Sequence, residues 1–238
     1  MQYDLTDIHQ HVLWGVDDGA ETPEIMQSML RQSSEQNIRV VAAACHAAPG
    51  LRPFDLGLYR ERLAEAQNFC RRENLDVRVI AGAEVQWTWQ TVTALQQGQI
   101  PTLGDTNCVL LELWETIGWE EARSAVKQVL RAGFTPILAH TERYWCFALQ
   151  PKKAIELRNE LGVGYQVNAS TILAPRWPFE QHFIKRMLAE QALDAVASDA
   201  HDCERRPILL RKAFDELTRR CEKDYARALA GFDGVLHQ

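Results

Sequence analysis

The chain has 238 residues, of which 46% are apolar and 24% are charged. These proportions are those of a globular protein and exclude a disordered or fibrous chain, while the length fits one α/β-barrel domain or two small domains. A net charge of -6 argues against a broad electrostatic contact with nucleic acid or with an anionic membrane surface.

The N-terminus and the cysteines indicate the compartment. No basic segment followed by an apolar run begins the chain, so no signal peptide is predicted. No apolar run approaches the roughly 18 residues that span a bilayer, so no membrane insertion is expected. The six cysteines are scattered without a CxxC pair, a pattern typical of reduced thiols in a cytoplasmic protein. We therefore expect a cytoplasmic location.

Short apolar segments recur along the whole chain and alternate with longer amphipathic segments. Several of the short segments are almost wholly apolar, as is required of strands that are buried on both faces. The predicted strands are Tyr3–His9, Ile38–Ala44, Val77–Ala83, Cys108–Leu111, Thr135–Ala139, Val163–Val167 and Asp194–Ala197.

The amphipathic segments between these strands are predicted to be helices. Thr22-Pro23-Glu24 is a helix start signal, because a hydroxyl N-cap is followed by proline and then by an acid in the first turn. Alternation of strands with helices favours parallel strands joined by crossover helices. We predict one domain over residues 1–238, a closed (β/α) barrel of seven or eight strands, with an open doubly wound sheet as the alternative. The other predicted helices are Leu58–Glu73, Glu120–Arg131, Phe179–Glu190 and Pro207–Cys221.

The first predicted strand runs into Asp7-Ile8-His9-Gln10-His11. Residues two apart in an extended chain point the same way, so His9 and His11 can face one point. Imidazoles placed in this way are good ligands for zinc, manganese or iron. Two hydrogen-bonded histidines at a strand end are the structural alternative, and this motif alone does not decide between the two.

Side chains that bind metals also follow most of the other predicted strands. In a parallel barrel the carboxyl ends of the strands open onto one face, and that face holds the active site. So many histidines and carboxylates exceed the needs of one tetrahedral zinc and fit two or three ions, which activate water and clamp a phosphoryl group. Asp17-Asp18-Gly19 offers a further carboxylate, although by itself it resembles an ordinary acidic turn. The strand-end residues are His46, Glu84, Glu112, His140, Asp199 and His201.

In their order along the chain, these motifs resemble the polymerase-and-histidinol-phosphatase (PHP) superfamily. More narrowly, they are similar to the bacterial manganese-dependent protein-tyrosine phosphatases of capsule and exopolysaccharide loci. The resemblance implies a distorted (β/α)7 TIM-like barrel, the PHP fold. It extends over residues 7–207 and includes Gly82-Ala83-Glu84, His140-Thr141-Glu142-Arg143, Gln166-Val167-Asn168-Ala169-Ser170, Ser198-Asp199-Ala200-His201 and Arg206-Pro207.

The resemblance also implies a cofactor of two or three divalent metal ions, manganese first, with iron, zinc or cobalt as alternatives. Arg143 and Arg206 match the phosphate-binding arginines of the family, and a guanidinium group can bind two phosphate oxygens at once. The implied ligands are His9, His11, Glu84 and Asp199 for the first ion, Glu84, Glu112 and His140 for the second, and Asp18, His46 and His201 for the third.

The expected function is that of a metal-dependent phosphomonoesterase. The resemblance implies hydrolysis of phosphotyrosine on the tail of a tyrosine kinase that controls polysaccharide synthesis, through a metal-bridging hydroxide and the two arginines. A histidinol-phosphatase-like small-molecule phosphatase or a phosphodiesterase on the same scaffold is one alternative. A metal-dependent amidohydrolase is another, although no predicted strand ends in the lysine which that class usually needs. A metal-binding regulatory module is the non-enzymatic alternative, and the oligomeric state stays open.

Some features depart from the family pattern. His140-Thr141-Glu142-Arg143 stands where the family usually has His-Pro-Glu-Arg, and we expect the change to loosen the loop that carries Arg143. Ala44-Cys45-His46-Ala47 replaces a Thr-Pro-His-His run. Both changes concern the substrate more than the metals.

Two other candidate features are weaker. Cys221 and Arg227 have the spacing of a cysteine phosphatase, but the intervening segment lacks glycine and is helical in character, so its backbone N–H groups would not be free to bind phosphate. Trp14, Trp114 and Trp145 lie close in sequence to proposed ligands, although packing is the more frequent role for tryptophan.

Overall fold

The computed structural model describes residues 3–231 and contains a parallel sheet of seven strands that neighbour one another in chain order. Each predicted strand is confirmed, with ends that differ by a few residues. The strands are β1 Leu5–Gln10, β2 Ile38–Ala47, β3 Arg78–Gln86, β4 Cys108–Glu112, β5 Thr135–Leu138, β6 Gly164–Asn168 and β7 Ala195–Ala197.

The first and last strands meet, so the sheet closes on itself. Gln10 forms a parallel bridge with Ala200. The backbone N–H of Asp199 donates to His9 O at 2.8 Å, and that of His11 donates to Ala200 O at 2.9 Å. This closure makes the fold a distorted (β/α)7 barrel and rules out the open doubly wound sheet.

Helices cover the outside of the barrel. The predicted start at Thr22 is confirmed, since Thr22 Oγ1 accepts from Ile25 N at 3.4 Å. Proline also opens the crossover helix between β5 and β6, which ends at Gly162 with a φ of 69°. Within residues 3–231 the helices are α1 Pro23–Glu35, α2 Leu56–Arg72, α3 Thr91–Gln96, α4 Trp119–Arg131, α5 Trp145–Ala148, α6 Pro151–Leu161, α7 Ala169–Leu173, α8 Pro178–Ala189, α9 Leu210–Arg220 and α10 Lys223–Gly231.

The helix predicted from Pro207 begins instead at Leu210. Gln36 explains the difference, because its side chain binds the backbone on both sides of this start. Gln36 Nε2 donates to Ile208 O at 2.9 Å, and Gln36 Oε1 accepts from Arg211 N at 3.3 Å. These bonds take up backbone groups that an earlier helix start would use.

The barrel interior is narrow and is filled mainly by small apolar side chains. Alanines are frequent there because a closed sheet of few strands leaves little room between them. A larger apolar cluster packs the helices against the outer face of the sheet. Among the described residues, no helix has the length and apolar character to cross a membrane. The interior cluster includes Ile8, Ala42, Ala44, Ile80, Leu110, Ile137, Ala139, Ala195 and Ala197.

Candidate metal centre

The structure brings every predicted ligand residue to the carboxyl-terminal end of the barrel. His46 and Glu84 lie inside β2 and β3, which extend beyond their predicted ends, and face each other across the paired strands. Glu112 is the last residue of β4. His140 follows β5, and Asp199 and His201 follow β7, while His9 lies in β1 with His11 directly after it.

Glu84 lies at the centre of this cluster and is only 1% exposed. Its Oε1 lies 2.6 Å from His140 Nε2. Its Oε2 lies 3.0 Å from His46 Nδ1, 3.2 Å from His9 Nε2 and 3.4 Å from His11 Nε2. One carboxylate therefore contacts four histidines, an arrangement that suits a ligand shared between ions.

The ligand atoms fall into three groups, each compact enough to hold an ion. The groups match the sets implied by the resemblance only in part. His46 takes the place of His140 in the second group, His11 belongs to the third group as well as to the first, and Asp199 belongs to none of the three. His140 nevertheless remains close, since its Nε2 lies 3.7 Å from Glu112 Oε1. With ligand atoms within 4.8 Å of one another, the groups are His9, His11 and Glu84; His46, Glu84 and Glu112; and His11, Asp18, His46 and His201.

Asp17 determines which nitrogen of His11 faces the cluster. Asp17 Oδ2 lies 2.7 Å from His11 Nδ1 and accepts from His46 N at 2.9 Å. Burial raises the pKa of Asp17, but the hydrogen bond and charge of His11 outweigh burial and lower it to about 2. An ionised carboxylate only accepts, so His11 Nδ1 donates and Nε2 faces Glu84.

The donor set fits a bound cation. His9 Nε2 and His11 Nε2 lie 3.2 Å apart, and each lies 3.6 Å from Asp199 Oδ1. His201 Nε2 is buried and has no hydrogen-bond partner among the described residues, and Glu84 Oε2 is buried among three imidazole nitrogens. Buried acceptor atoms that converge in this way need a proton or a metal ion between them, and mixed imidazole and carboxylate ligands suit manganese, iron or zinc.

Arg143 and Arg206 stand at the edge of the cluster, on two different loops. Their guanidinium groups both contact Asp199, which is 4% exposed, whereas the arginine side chains are 31% and 41% exposed. The two arginines therefore reach from the buried ligands towards solvent, where an anionic substrate would arrive.

The loop that carries Arg143 is held more tightly than its threonine led us to expect. Thr141 is fully buried, and its hydroxyl donates to Leu138 O at 3.0 Å. Arg143 N donates to His140 O at 2.9 Å within a short 3-10 turn, Thr141–Arg143. A side-chain hydrogen bond thus restrains the loop at the position where the resemblance implied proline.

Left-handed backbone occurs at two of the candidate ligands. His140 has a φ of 30° and Asp199 a φ of 53°. Residues other than glycine rarely adopt such angles, and surrounding structure must hold them there. Strain at both positions is consistent with a site whose geometry takes precedence over local backbone preference.

Several residues that support the ligands were given no role by sequence reasoning. Asp7 Oδ1 accepts from His9 N at 3.3 Å and from Ser198 N at 3.0 Å, which ties β1 to the end of β7. Gln166 and Asn168 contact the candidate ligands from β6. All three are buried polar residues within quoted motifs, and that combination was the available signal.

Comparison with known proteins decides the family. A family described as "Capsular polysaccharide synthesis, CpsB/CapC" matches residues 5–232. The tyrosine-protein phosphatase CpsB of Streptococcus agalactiae is 32% identical over 232 residues, 94% of each chain. The chain belongs to the CpsB/CapC family.

Further members agree over nearly the whole chain. CpsB of Streptococcus pneumoniae is 26% identical over 94% of each chain. A structure from a study of YwqE from Bacillus subtilis and CpsB from Streptococcus pneumoniae, described as "unique metal-dependent tyrosine phosphatases", superposes with a TM-score of 0.84. It covers 93% of this chain and 90% of that chain, at 24% identity. This superposition confirms the barrel fold.

In this CpsB/CapC member the cysteine alternative has no structural support. Cys221 directly follows α9, and its thiol donates to Leu217 O at 3.2 Å. Burial raises the pKa of Cys221, which disfavours the thiolate that a nucleophile needs. Arg227 is engaged with Asp224 at 2.8 Å. The pair does not form a phosphate-binding loop.

The tryptophans near the CpsB/CapC site differ in role. Trp14 packs as expected, with its Nε1 donating to Glu65 at 2.7 Å and the Arg62 guanidinium 3.6 Å from its ring centre. Trp114 and Trp145 are 50% and 54% exposed. The expectation of packing is confirmed for Trp14, whereas the rings of the other two are only partly covered.

Proposed function

We propose that this chain is a metal-dependent protein-tyrosine phosphatase that hydrolyses phosphotyrosine on a protein. The observation that carries the proposal is the position of Arg143 and Arg206 beside a buried histidine–carboxylate cluster. A pair of guanidinium groups matches the two charges of a phosphate monoester. Relatives that are named tyrosine-protein phosphatases and are matched over 94% of their length support the same reading.

The metal ligands of the proposed enzyme are those that the sequence indicated: His9, His11, Asp18, His46, Glu84, Glu112, His140, Asp199 and His201. When bound, the ions lower the pKa of a water molecule and neutralise charge on the phosphoryl group. Two or three ions are proposed, with manganese as the first choice. The number of ligand groups and their shared Glu84 support more than one ion.

The arginines act on the phosphate. Arg143 and Arg206 are proposed to bind equatorial phosphate oxygens, with Asp199 holding both guanidinium groups in position before substrate binds. Because a phenolate leaves readily, no residue is assigned as a dedicated general acid. Positioned cations of this kind stabilise the charge that develops in the transition state.

A cleft beside Arg143 supports a polypeptide substrate. It has a volume of about 160 Å³ and is lined by Trp145, Arg176 and Trp177, among others. Glu180 Oε2 accepts the backbone N–H groups of Arg176 at 2.6 Å and Trp177 at 3.1 Å, which fixes the rim. Exposed aromatic rings next to the proposed phosphate-binding residue can pack against the peptide residues that flank a phosphotyrosine.

The proposed partner is the phosphotyrosine tail of a tyrosine kinase that controls polysaccharide synthesis. The description of the matched family, capsular polysaccharide synthesis, supports this assignment. We further propose that residues 1–238 act as one domain in the cytoplasm. The six free cysteines support a reducing compartment.

The deciding experiment reconstitutes the protein with manganese, iron, zinc or cobalt. Its activity is then compared on phosphotyrosyl peptides and on histidinol phosphate. Higher kcat/KM on the peptides supports the proposal, and the reverse result would assign a small-molecule phosphatase. An amidohydrolase is disfavoured because none of the seven strands of the described barrel ends in lysine.

A further inference from the structure

Two buried amides on β6 connect three of the candidate ligands. Gln166 and Asn168 are 0% and 1% exposed. Because they lie two residues apart in a strand, their side chains leave the same face of the sheet. They contact His9, His140 and Asp199, and every hydrogen bond in this connection has a direction that can be deduced.

The deduction starts at a group that can only donate. The backbone N–H of His140 lies 2.9 Å from Gln166 Oε1, so this atom is the amide oxygen. The same oxygen lies 3.1 Å from His9 Nδ1, which must therefore carry a proton. The lone pair of neutral His9 is then on Nε2, the atom that lies 3.2 Å from Glu84 Oε2.

The other end of the same amide orients Asp199. Gln166 Nε2 is the amino group and donates to Asn168 Oδ1 at 2.8 Å. Asn168 Nδ2 consequently donates to Asp199 Oδ2 at 2.7 Å. Asp199 Oδ2 also accepts from Arg143 at 3.0 Å, and Oδ1, which accepts from Arg206 at 2.8 Å, faces His9 Nε2 at 3.6 Å.

We propose that Gln166 and Asn168 form a positioning relay for the metal centre. The relay places the His9 proton on Nδ1 and fixes the Asp199 rotamer, so that both residues present lone pairs to one ion. It rests on the metal centre of the proposed function but not on the substrate. His11 has its own partner in Asp17 and serves as an internal reference.

The relay has two arms: the bonds from Gln166 Oε1 to His9 and His140, and the bonds from Gln166 Nε2 through Asn168 to Asp199. Three variants separate them. Gln166→Leu removes both arms, whereas Gln166→Glu keeps an acceptor for His9 and His140 and removes the donor to Asn168. Asn168→Leu removes the bonds to Gln166 Nε2 and to Asp199 and keeps the bonds from Gln166 Oε1 to His9 and His140. Loss of a residue that orients a metal ligand typically lowers metal affinity by roughly 10–100-fold.

The measurements are zinc affinity, by chelator competition, and 15N NMR of the histidine ring nitrogens in the zinc-loaded protein. We expect His9 and His11 to bind zinc through Nε2 and to retain slowly exchanging protons on Nδ1. In Gln166→Leu the His9 proton exchanges rapidly while that of His11 is unchanged, and zinc affinity falls roughly 10–100-fold. In Gln166→Glu and Asn168→Leu the His9 proton persists, although affinity falls.

Two results would overturn the relay: zinc bound to His9 through Nδ1, or a folded Gln166→Leu variant with zinc affinity within about twofold of the unchanged protein. Circular dichroism and thermal unfolding establish folding. If Gln166→Leu does not fold, an unchanged zinc affinity in both Gln166→Glu and Asn168→Leu would also overturn the relay. Absent phosphotyrosine hydrolysis, with the NMR and affinity results as expected, would instead count against the proposed function alone.

Discussion

Arg143 and Arg206 share one carboxylate: Arg143 Nη2 lies 3.0 Å from Asp199 Oδ2, and Arg206 Nη2 lies 2.8 Å from Asp199 Oδ1. Two guanidinium groups from different loops thus converge on one carboxylate of the candidate metal centre, where the proposed substrate would bring its phosphate. A phosphate group that enters there competes with Asp199 for donors already in place, so little reorganisation is needed on binding.

Arg143→Ala is expected to keep its metal content and fold but to lose about 3 kcal/mol of transition-state stabilisation, a fall in kcat/KM of roughly 100-fold or more. Arg143→Lys should recover little, because an ammonium group cannot make the paired contact of a guanidinium. Kinetics on a phosphotyrosyl peptide, with metal analysis of the same preparations, test this. Arg205→Ala removes an equal charge from a neighbouring loop and is the control. Near-normal turnover by Arg143→Ala would remove the phosphate-binding role.

Glu84→Ala is expected to lose more than one metal ion per chain, because the carboxylate contacts all of His9, His11, His46 and His140. Elemental analysis of the purified variant gives the count directly. Glu120→Ala, an exposed carboxylate on α4, should keep the full number of ions. A Glu84→Ala protein that retained the same metal content as this control would show that Glu84 does not bridge.

Metal binding is expected to release protons and to tighten as pH rises. In the metal-free protein, burial lowers the pKa of His11, but the hydrogen bonds to Asp17 and Glu84 outweigh burial and raise it to about 10. The pKa of His9 is also raised, since the charges of Glu84 and Asp199 overcome its burial. The His11 ring therefore holds an extra proton at neutral pH, which a metal ion must displace, and the raised pKa of His9 acts in the same direction. Calorimetry in buffers of different ionisation enthalpy measures the release, and a buffer-independent heat would contradict it.

Activity is expected to require metal and to be insensitive to cysteine chemistry. A chelator should abolish turnover, and added metal should restore it. Cys221→Ser should keep the activity of the unchanged protein, because this thiol lies at the end of α9 and donates to a backbone carbonyl. Loss of activity in a folded Cys221→Ser variant would count against the metal mechanism.

Arg176→Ala and Trp177→Ala are expected to raise KM for a phosphotyrosyl peptide by about fivefold, which corresponds to roughly 1 kcal/mol of lost contact. Neither should change kcat/KM for p-nitrophenyl phosphate, which has no flanking residues to fill the cleft. Arg186→Ala on α8, whose partner is Glu190, provides a control with the same loss of charge. Equal kinetic changes on the phosphotyrosyl peptide and on p-nitrophenyl phosphate would show that the cleft does not bind the peptide.

Much of the fold was predictable because buried parallel strands leave a plain signal. Segments such as Thr135–Ala139 are nearly all apolar, and their spacing left room for crossover helices. The position of a histidine or carboxylate at successive strand ends then predicted the cluster, since those ends share one face. α6 could also have been found, from Pro151 at its start and Gly162 at its end.

Other features depend on distances that a sequence does not contain. The Gln166 and Asn168 roles follow from the direction of hydrogen bonds between strands, which only three-dimensional placement reveals. His46 faces Glu84 because β2 and β3 continue past their predicted ends. Thr141 restrains its loop through a bond to Leu138 O, whereas the absence of proline, taken alone, predicted a looser one.

The seam between β1 and β7 has a consequence for how the protein acquires its metals. His9 comes from the first strand and Asp199 from the segment after the last, yet their side chains lie side by side. A partly synthesised chain contains only half of each such pair, so the group of His11, Asp18, His46 and His201 is incomplete until residue 201 has left the ribosome and β7 has docked. Full metal loading is therefore expected to be a late event that only a closed barrel can complete.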